Sequence, residues 1–197
     1  MSIQNEDILA DQRLVKSVLN GDRNAFGLII KQSEGLVAQI TFKMISSPGD
    51  RKDIAQDVFL KAFKNLPGFK FKSKLSTWIG QIAYNTCLHY IEKKKLVLSD
   101  NFGKDGELPA GHISEDLQND SEEILFNKEL AGILHLEIER LKPLYKTLIS
   151  LYHQEDLSYA EIAEITSLPE GTVKNYIFRA RNTLKVNIQS KYKRNEL

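Results

Sequence analysis

Cysteine is nearly absent from the 197 residues: Cys87 stands alone. A lone thiol excludes an intramolecular disulfide framework and any cysteine-built zinc cage, and it makes a reducing compartment the natural setting. Long apolar runs are missing as well. No window approaches the roughly 18 uninterrupted apolar residues of a membrane span, and Met1 to Asp7 carries no basic segment with an apolar run behind it. The sequence therefore predicts no membrane insertion, no export and a cytoplasmic location. Charge of one sign is not in excess either, since 27 Lys and Arg stand against 26 Asp and Glu for a formal net charge of +1. Internal repeats and low-complexity tracts are lacking too. What is present is a hydrophobic content of 42%, enough for one medium core or two small ones. The charge is segregated along the chain, which the balanced total conceals.

The most informative stretch runs from Leu157 to Arg181. Ser158 followed by Glu161 has the spacing of a capping box and predicts a short helix from Tyr159, with Ile162, Ala163 and Ile165 inward. Thr166 to Pro169 reads as a turn, and a second helix follows from about Glu170 through Leu184. This is helix-turn-helix spacing. Val173, Ile177, Ala180 and Leu184 form an inward stripe, and the opposite face carries Lys174, Asn175, Phe178, Arg179 and Arg181. Between Gly171 and Asn195 there are seven basic residues and no acidic one. A face of one sign neutralises phosphates, so this segment is read as binding DNA. Residues near the start of such a helix enter the groove deepest. Lys174, Asn175 and Arg179 are therefore expected at base edges, and Thr172, Arg181 and Lys185 at phosphates.

Taken in order, the rest of the chain predicts helices throughout. Asp7 to Leu19 has helical spacing and stops at Asn20-Gly21. Asp22 caps a second helix that runs to the Ser46-Ser47-Pro48-Gly49 turn. Asp50 or a neighbour caps a third, with Ile54, Ala55, Val58, Phe59, Ala62, Phe63 and Leu66 as its apolar stripe and Asp53, Gln56, Asp57, Lys61 and Lys64 outside, ending at Pro67-Gly68. Phe69 to Leu75 alternates aromatic or apolar with basic residues, but no partner strand is visible, so it reads as a loop. Ser76-Thr77 is the expected N-cap of a helix bearing Trp78, Ile79, Ile82, Ala83, Thr86 and Tyr90 and ending at Lys93-Lys94-Lys95. From residue 96 to 120 periodicity fails, and six carboxylates face Lys104 alone among glycines and a proline. This reads as an acidic, flexible linker between two small helical domains, 1–95 and 121–197, the second a four-helix domain that contains the helix-turn-helix. The fold class is all-α.

Trp78 is equally a stacking partner and a core residue. Of two aromatics in a lysine-rich loop, Phe69 is expected to anchor the loop and Phe71 to be exposed. Cys87 and His89 lie two apart on a helix and face different directions, so they do not form a nucleophile and its base. Asp53 and Asp57 share a face without a histidine, which suits a docking surface better than a metal site.

Three blocks in this order resemble the bacterial sigma factors of the extracytoplasmic-function (ECF) type, over nearly the whole chain. Asp53 to Phe63 is similar to the family's core-polymerase-binding helix. Leu75-Ser76-Thr77-Trp78-Ile79 with Ile82-Ala83-Tyr84-Asn85 is similar to its promoter-melting segment, and Pro169 to Lys174 with Phe178 to Arg181 to its upstream-element reader. The resemblance implies that Asp53, Gln56, Asp57, Leu60 and Lys61 dock on core RNA polymerase, at the clamp helices of its largest subunit. It implies that Phe69, Lys70, Phe71, Lys72, Lys74, Thr77, Trp78, Gln81, Asn85, Lys93 and Lys94 hold the minus-ten element. Thr172, Lys174, Asn175, Phe178, Arg179, Arg181 and Lys185 would hold the minus-thirty-five element. It further implies promoter DNA and an anti-sigma protein as partners, no catalysis by the chain itself, no metal and no cofactor. The chain departs from the family's pattern at Ser167 and Phe71, where glycine or a small residue is common, and at His89, where an acidic residue is frequent. A helix-turn-helix repressor or activator, or a nuclease with a DNA-binding tail, would be the competing classes.

Overall fold

The computed structural model describes residues 2–101 and 122–195. Among the described residues the fold is all-α, without strands: α1 (Ser2–Leu19), α2 (Arg23–Met44), α3 (Pro48–Asn65), a 3-10 turn (Leu66–Gly68), α4 (Leu75–Asn101), α5 (Glu122–Glu139), α6 (Pro143–His153), α7 (Tyr159–Thr166) and α8 (Glu170–Asn195). Local chemistry sets several boundaries where it was expected to. Gly21 takes φ 96 after α1, a left-handed conformation open to glycine without steric cost. Asp22 then accepts from the backbone amides of Asn24 at 2.9 Å and Ala25 at 3.2 Å. The capping box of α7 is complete, with Ser158 Oγ accepting from the Glu161 amide at 3.2 Å and the Glu161 carboxylate accepting from the Ser158 amide at 2.9 Å.

Other boundaries differ from expectation. The N-cap of α3 is Ser47, with no side-chain cap bond and Pro48 opening the helix, so Asp50 lies inside the first turn. Arg51 ties this entrance down, its Nε donating to the Ile45 carbonyl at 2.6 Å while its guanidinium lies 4.1 Å from the centre of the Phe42 ring. Helix α4 starts at Leu75 rather than after Ser76-Thr77, because the carboxylate of Asp11 in α1 accepts from the Leu75 amide at 2.8 Å. The cap is tertiary, 64 residues away in sequence. At its other end α4, expected to end at Lys93-Lys94-Lys95, continues to Asn101. The rest of the acidic segment to residue 120 lies outside the described residues.

Helices α2 and α4 form the centre. Helix α3 packs on both, α1 and α6 pack on α2, and α7 packs on α4. One cluster of buried side chains runs from Val15 in α1 through Ile29, Ile40, Val58 and Ile79 to Leu148, Ile165, Val173 and Leu184. The two halves of the chain are thus in direct contact. Gly80 marks the closest approach. A Cβ added there would stand 3.1 Å from both Ile165 Cδ1 and Leu36 Cδ2, so the absent side chain is what lets α7 and α2 reach the α4 backbone.

Candidate polymerase and nucleic-acid surfaces

The outer face of α3 carries the expected docking residues. Asp53 and Gln56 are exposed, and Leu60 is 59% exposed. Asp57 and Lys61 are paired with one another at 2.7 Å, one helical turn apart, and Lys61 Nζ also donates to Thr86 of α4 at 3.3 Å. Phe63, expected in the inward stripe, is 50% exposed. Nine residues at about 100° each place it half a turn round the helix from buried Ile54, a signal that was legible in the sequence. Its ring meets Phe26 of α2 edge-on at 4.9 Å, and Leu28 beside Phe26 is 53% exposed. Phe63, three residues on from the expected Leu60, adds apolar area to the docking face.

In the loop before α4, Phe69 is the buried anchor, its ring 4.7 Å from Phe71 and 4.9 Å from Trp78. Phe71 and Trp78 are half-buried, which gives Trp78 a packing role with one edge left open. Phe71 has φ 54, a left-handed conformation that costs a side chain about 1–2 kcal/mol relative to glycine. Lys70, Lys72, Asn85 and Lys93 are exposed. Lys94 approaches Tyr90 Oη at 3.3 Å and Asp50 at 3.7 Å, and Tyr90 itself donates to the Asp50 carboxylate. That bond, with smaller help from Ser47 and Lys94, holds Asp50 below the usual carboxylate range, and the same bond raises the Tyr90 hydroxyl against the opposing pull of Lys94. Between α1 and the loop lies a shallow cavity of about 310 Å³ whose walls include Gln12, Lys16, Phe69 and Phe71. The two α1 residues carried no signal in sequence because their partners are far along the chain.

Three expected strand contacts are placed differently. Thr77 is 1% exposed, so its side chain faces the interior rather than solvent. Lys74 pairs with Glu161 at 3.0 Å. Gln81 is half-buried and donates its amide to Ser167 Oγ at 3.4 Å. Cys87 is fully buried and burial pushes its thiol up to about 12, whereas His89 is exposed. The two do not form a reactive pair.

The helix-turn-helix stands as read. Ser167 takes φ 56 in the turn, so a serine does hold the left-handed position where glycine is common. Val173, Ile177 and Ala180 are completely buried and Leu184 nearly so. Lys174, Asn175, Arg179 and Lys185 are exposed, Phe178 is 61% exposed and Thr172 is half-buried. Arg181 is held from α6. Its Nε and Nη2 lie 3.2 and 3.0 Å from His153 Nε2. Its guanidinium sits 4.9 Å from the centre of the Tyr152 ring, which stacks on Tyr159. Burial first and the neighbouring guanidinium second lower the His153 pKa, which favours the neutral ring that accepts from Arg181.

Known proteins agree with this arrangement. Residues 29–97 match the family description "Sigma-70 region 2" and residues 131–184 match "Sigma-70, region 4". The ECF RNA polymerase sigma-E factor of Haemophilus influenzae is 35% identical over 184 residues, 92% of this chain and 96% of that protein. The factor of the same name from Escherichia coli K12 is 34% identical over 92% of this chain and 95% of its own length. Two solved structures share the fold at 21% identity. The Bartonella quintana sigma factor RpoE in complex with the anti-sigma factor NepR has a TM-score of 0.66, over 83% of this chain and 96% of that one. CnrH in complex with the cytosolic domain of CnrY has a TM-score of 0.60, over 92% and 98%. With both regions present in order and a third of its residues shared with such relatives along nearly their whole length, the chain belongs to the ECF RNA polymerase sigma factors.

Proposed function

We propose that the chain binds core RNA polymerase through the exposed face of α3, bringing Leu60 and Phe63 together with Asp53, Gln56 and Asp57, and directs the enzyme to specific promoters. Residues 1–95 act as the polymerase-binding and minus-ten unit and residues 121–197 as the minus-thirty-five unit. Helix α8 reads the upstream element in the major groove, with Lys174, Asn175 and Arg179 at base edges and Arg181 and Lys185 at phosphates. The loop from Phe69 to Lys74 and the start of α4 hold the opened non-template strand, with Phe71 and the open edge of Trp78 offering stacking surfaces and Lys70 and Lys72 the charge for its phosphates. The nucleotide chemistry belongs to the polymerase, the chain needs no cofactor or metal, and it works in the cytoplasm. An anti-sigma protein, as in the relatives' solved complexes, fits as a partner that covers the α3 face.

The observation that carries this reading is the recognition helix, whose inward stripe is packed while Lys174, Asn175, Phe178, Arg179 and Lys185 stand exposed on its outward face. Mixing the protein with core polymerase tests it. Co-migration and initiation from a defined set of promoters are expected. A tight dimeric operator footprint without polymerase would place the chain among ordinary repressors instead.

A further inference from the structure

The head group of Arg181 is engaged by α6, and its partner there is a base, not an acid. Its Nε and Nη2 converge on one atom, Nε2 of His153. Among the described residues no carboxylate lies within ion-pair distance of this guanidinium. A neutral imidazole occupies some of the donors of an arginine but leaves its charge uncompensated, and the planar fork of donors matches an oxyanion. Both side chains are exposed. Arg181 also belongs to a stripe. Lys174, Phe178, Arg181 and Lys185 follow one another at four, three and four residues, so the three cations lie along one side of α8. His153, the last residue of α6, meets that stripe at its middle.

The contact holds only while the ring is neutral. Protonation of Nε2 removes the acceptor and sets two cations against each other at 3.0 Å. Burial and the guanidinium disfavour that form, and Asp156, in the turn after α6, favours it. The other groups around the ring are tyrosines and aliphatic side chains. Tyr152 meets it edge-on at 5.0 Å, Tyr159 of α7 stacks on Tyr152, and α5 offers Leu134 and Ile138 to a cavity of about 500 Å³ that His153 and Arg181 also line. The cavity gives the two side chains room to part. An anion between them reverses the balance. A phosphate oxygen accepts from Arg181 in place of Nε2, and the freed Nε2 takes a proton from water and donates it to the same phosphate. No other bond is made or broken.

We infer that His153 and Arg181 form one phosphate clamp for upstream DNA, in which His153 is a contact residue supplied by α6 and filling the clamp takes up a proton. The inference rests on the reading of α8 as the upstream-element helix. Its consequence is upstream binding that tightens as pH falls. The free ring has its pKa below the ordinary value and the phosphate raises it, so between the two values each pH unit lowered strengthens binding by up to about tenfold.

The test uses the full chain assembled with core polymerase, and a duplex cut to the upstream element of a promoter that this holoenzyme selects from a library. Affinity is measured at fixed ionic strength between about pH 8 and 5.5. On lowering the pH the parent is expected to gain at least about threefold more affinity than His153→Gln, whose amide can accept from Arg181 but does not titrate. Lys185→Ala, at another point of the stripe, should weaken binding and keep the pH dependence of the parent. Nuclear magnetic resonance of the four histidine rings in the full chain needs no substitution, should the glutamine variant fail to fold. One ring is expected to titrate at a higher pH once the duplex is added, and unchanged titration of all of them overturns the clamp. Equal pH dependence in the parent and His153→Gln also overturns it, and leaves the upstream reading standing if Arg181→Ala still weakens binding. If Arg181→Ala binds as the parent does at every pH, Arg181 touches no phosphate and the clamp falls with that assignment.

Discussion

The two surfaces read as holding DNA are made differently. On α8 the division between inside and outside is complete within one helix, because Val173, Ile177 and Ala180 are fully buried and Lys174, Asn175 and Arg179 look outward. On α4 the same kind of division is overlaid by another part of the chain. Thr77 is buried and Gln81 is bonded to Ser167, while Asn85, one turn further on, is exposed. The difference shows that a face polar by pattern is not thereby a free face. A sequence pattern says which side of a helix avoids its own core, and only the other helices say whether something else lies on that side.

The largest expected effect separates fold from function on α8. Ile177→Ala should destabilise the protein by about 2–5 kcal/mol in thermal or denaturant unfolding. Phe178→Ala, one residue on and outward, should stay within about 0.5 kcal/mol and weaken promoter binding instead. Equal stability losses would mean that the outward face is packed after all.

Next comes the division of labour on that face. Arg179→Ala should change which upstream sequences are preferred, by about 1–3 kcal/mol for a bidentate base contact. Lys185→Ala should weaken all sequences nearly alike and lower the salt dependence. A promoter library measured at two salt concentrations distinguishes the two, and identical profiles would remove the distinction between base and phosphate contacts.

The loop before α4 offers a case where stability and function should move in opposite directions. Phe71→Gly relieves a left-handed side-chain conformation and should raise stability by about 1 kcal/mol less whatever packing against Phe69 is lost. The same change removes a stacking surface worth roughly 1–3 kcal/mol per base, so permanganate reactivity of minus-ten thymines in polymerase complexes should fall. A template already mismatched across that element should recover most of the loss. Unchanged reactivity on fully paired DNA would end the strand-holding assignment for this loop.

The smallest effect is a pH dependence. His153 has its pKa lowered in the fold, so the unfolded chain binds its proton more readily. The stability it contributes is complete above the ordinary value near 6.5 and is lost as pH falls below that toward the folded value. The lowered carboxylates Glu137, Glu139 and Glu161 act only below their ordinary range near 4.5. Glu155, which burial raises, works in the opposite sense. His153→Gln should therefore flatten the stability profile just below about pH 6.5 while leaving the steeper acid loss in place. A profile unchanged in that window would show that Arg181 does not depend on the neutral ring.

Much of this protein was determined by neighbours in sequence. The capping box of α7, the Asp22 cap, the Gly21 stop, the inward stripe of α8 and the left-handed position at Ser167 all rest on groups within a few residues of one another. Helical geometry brings such groups together whatever the rest of the chain does. The exposed position of Phe63 was available too, since its place on the helix follows from counting. What only the tertiary structure decided joins distant groups. Asp11 caps α4 from another helix and so sets its start at Leu75, one residue before the Ser-Thr pair that local pattern favoured. Gly80 has no local reason to be a glycine until Ile165 and Leu36 arrive against it. Gln81 and Lys74 read as outward because nothing nearby in sequence engages them, and Ser167 and Glu161, some 80 residues later, do. Periodicity encodes which face of a helix is apolar, but the pairing of faces across long loops depends on packing that no local pattern carries.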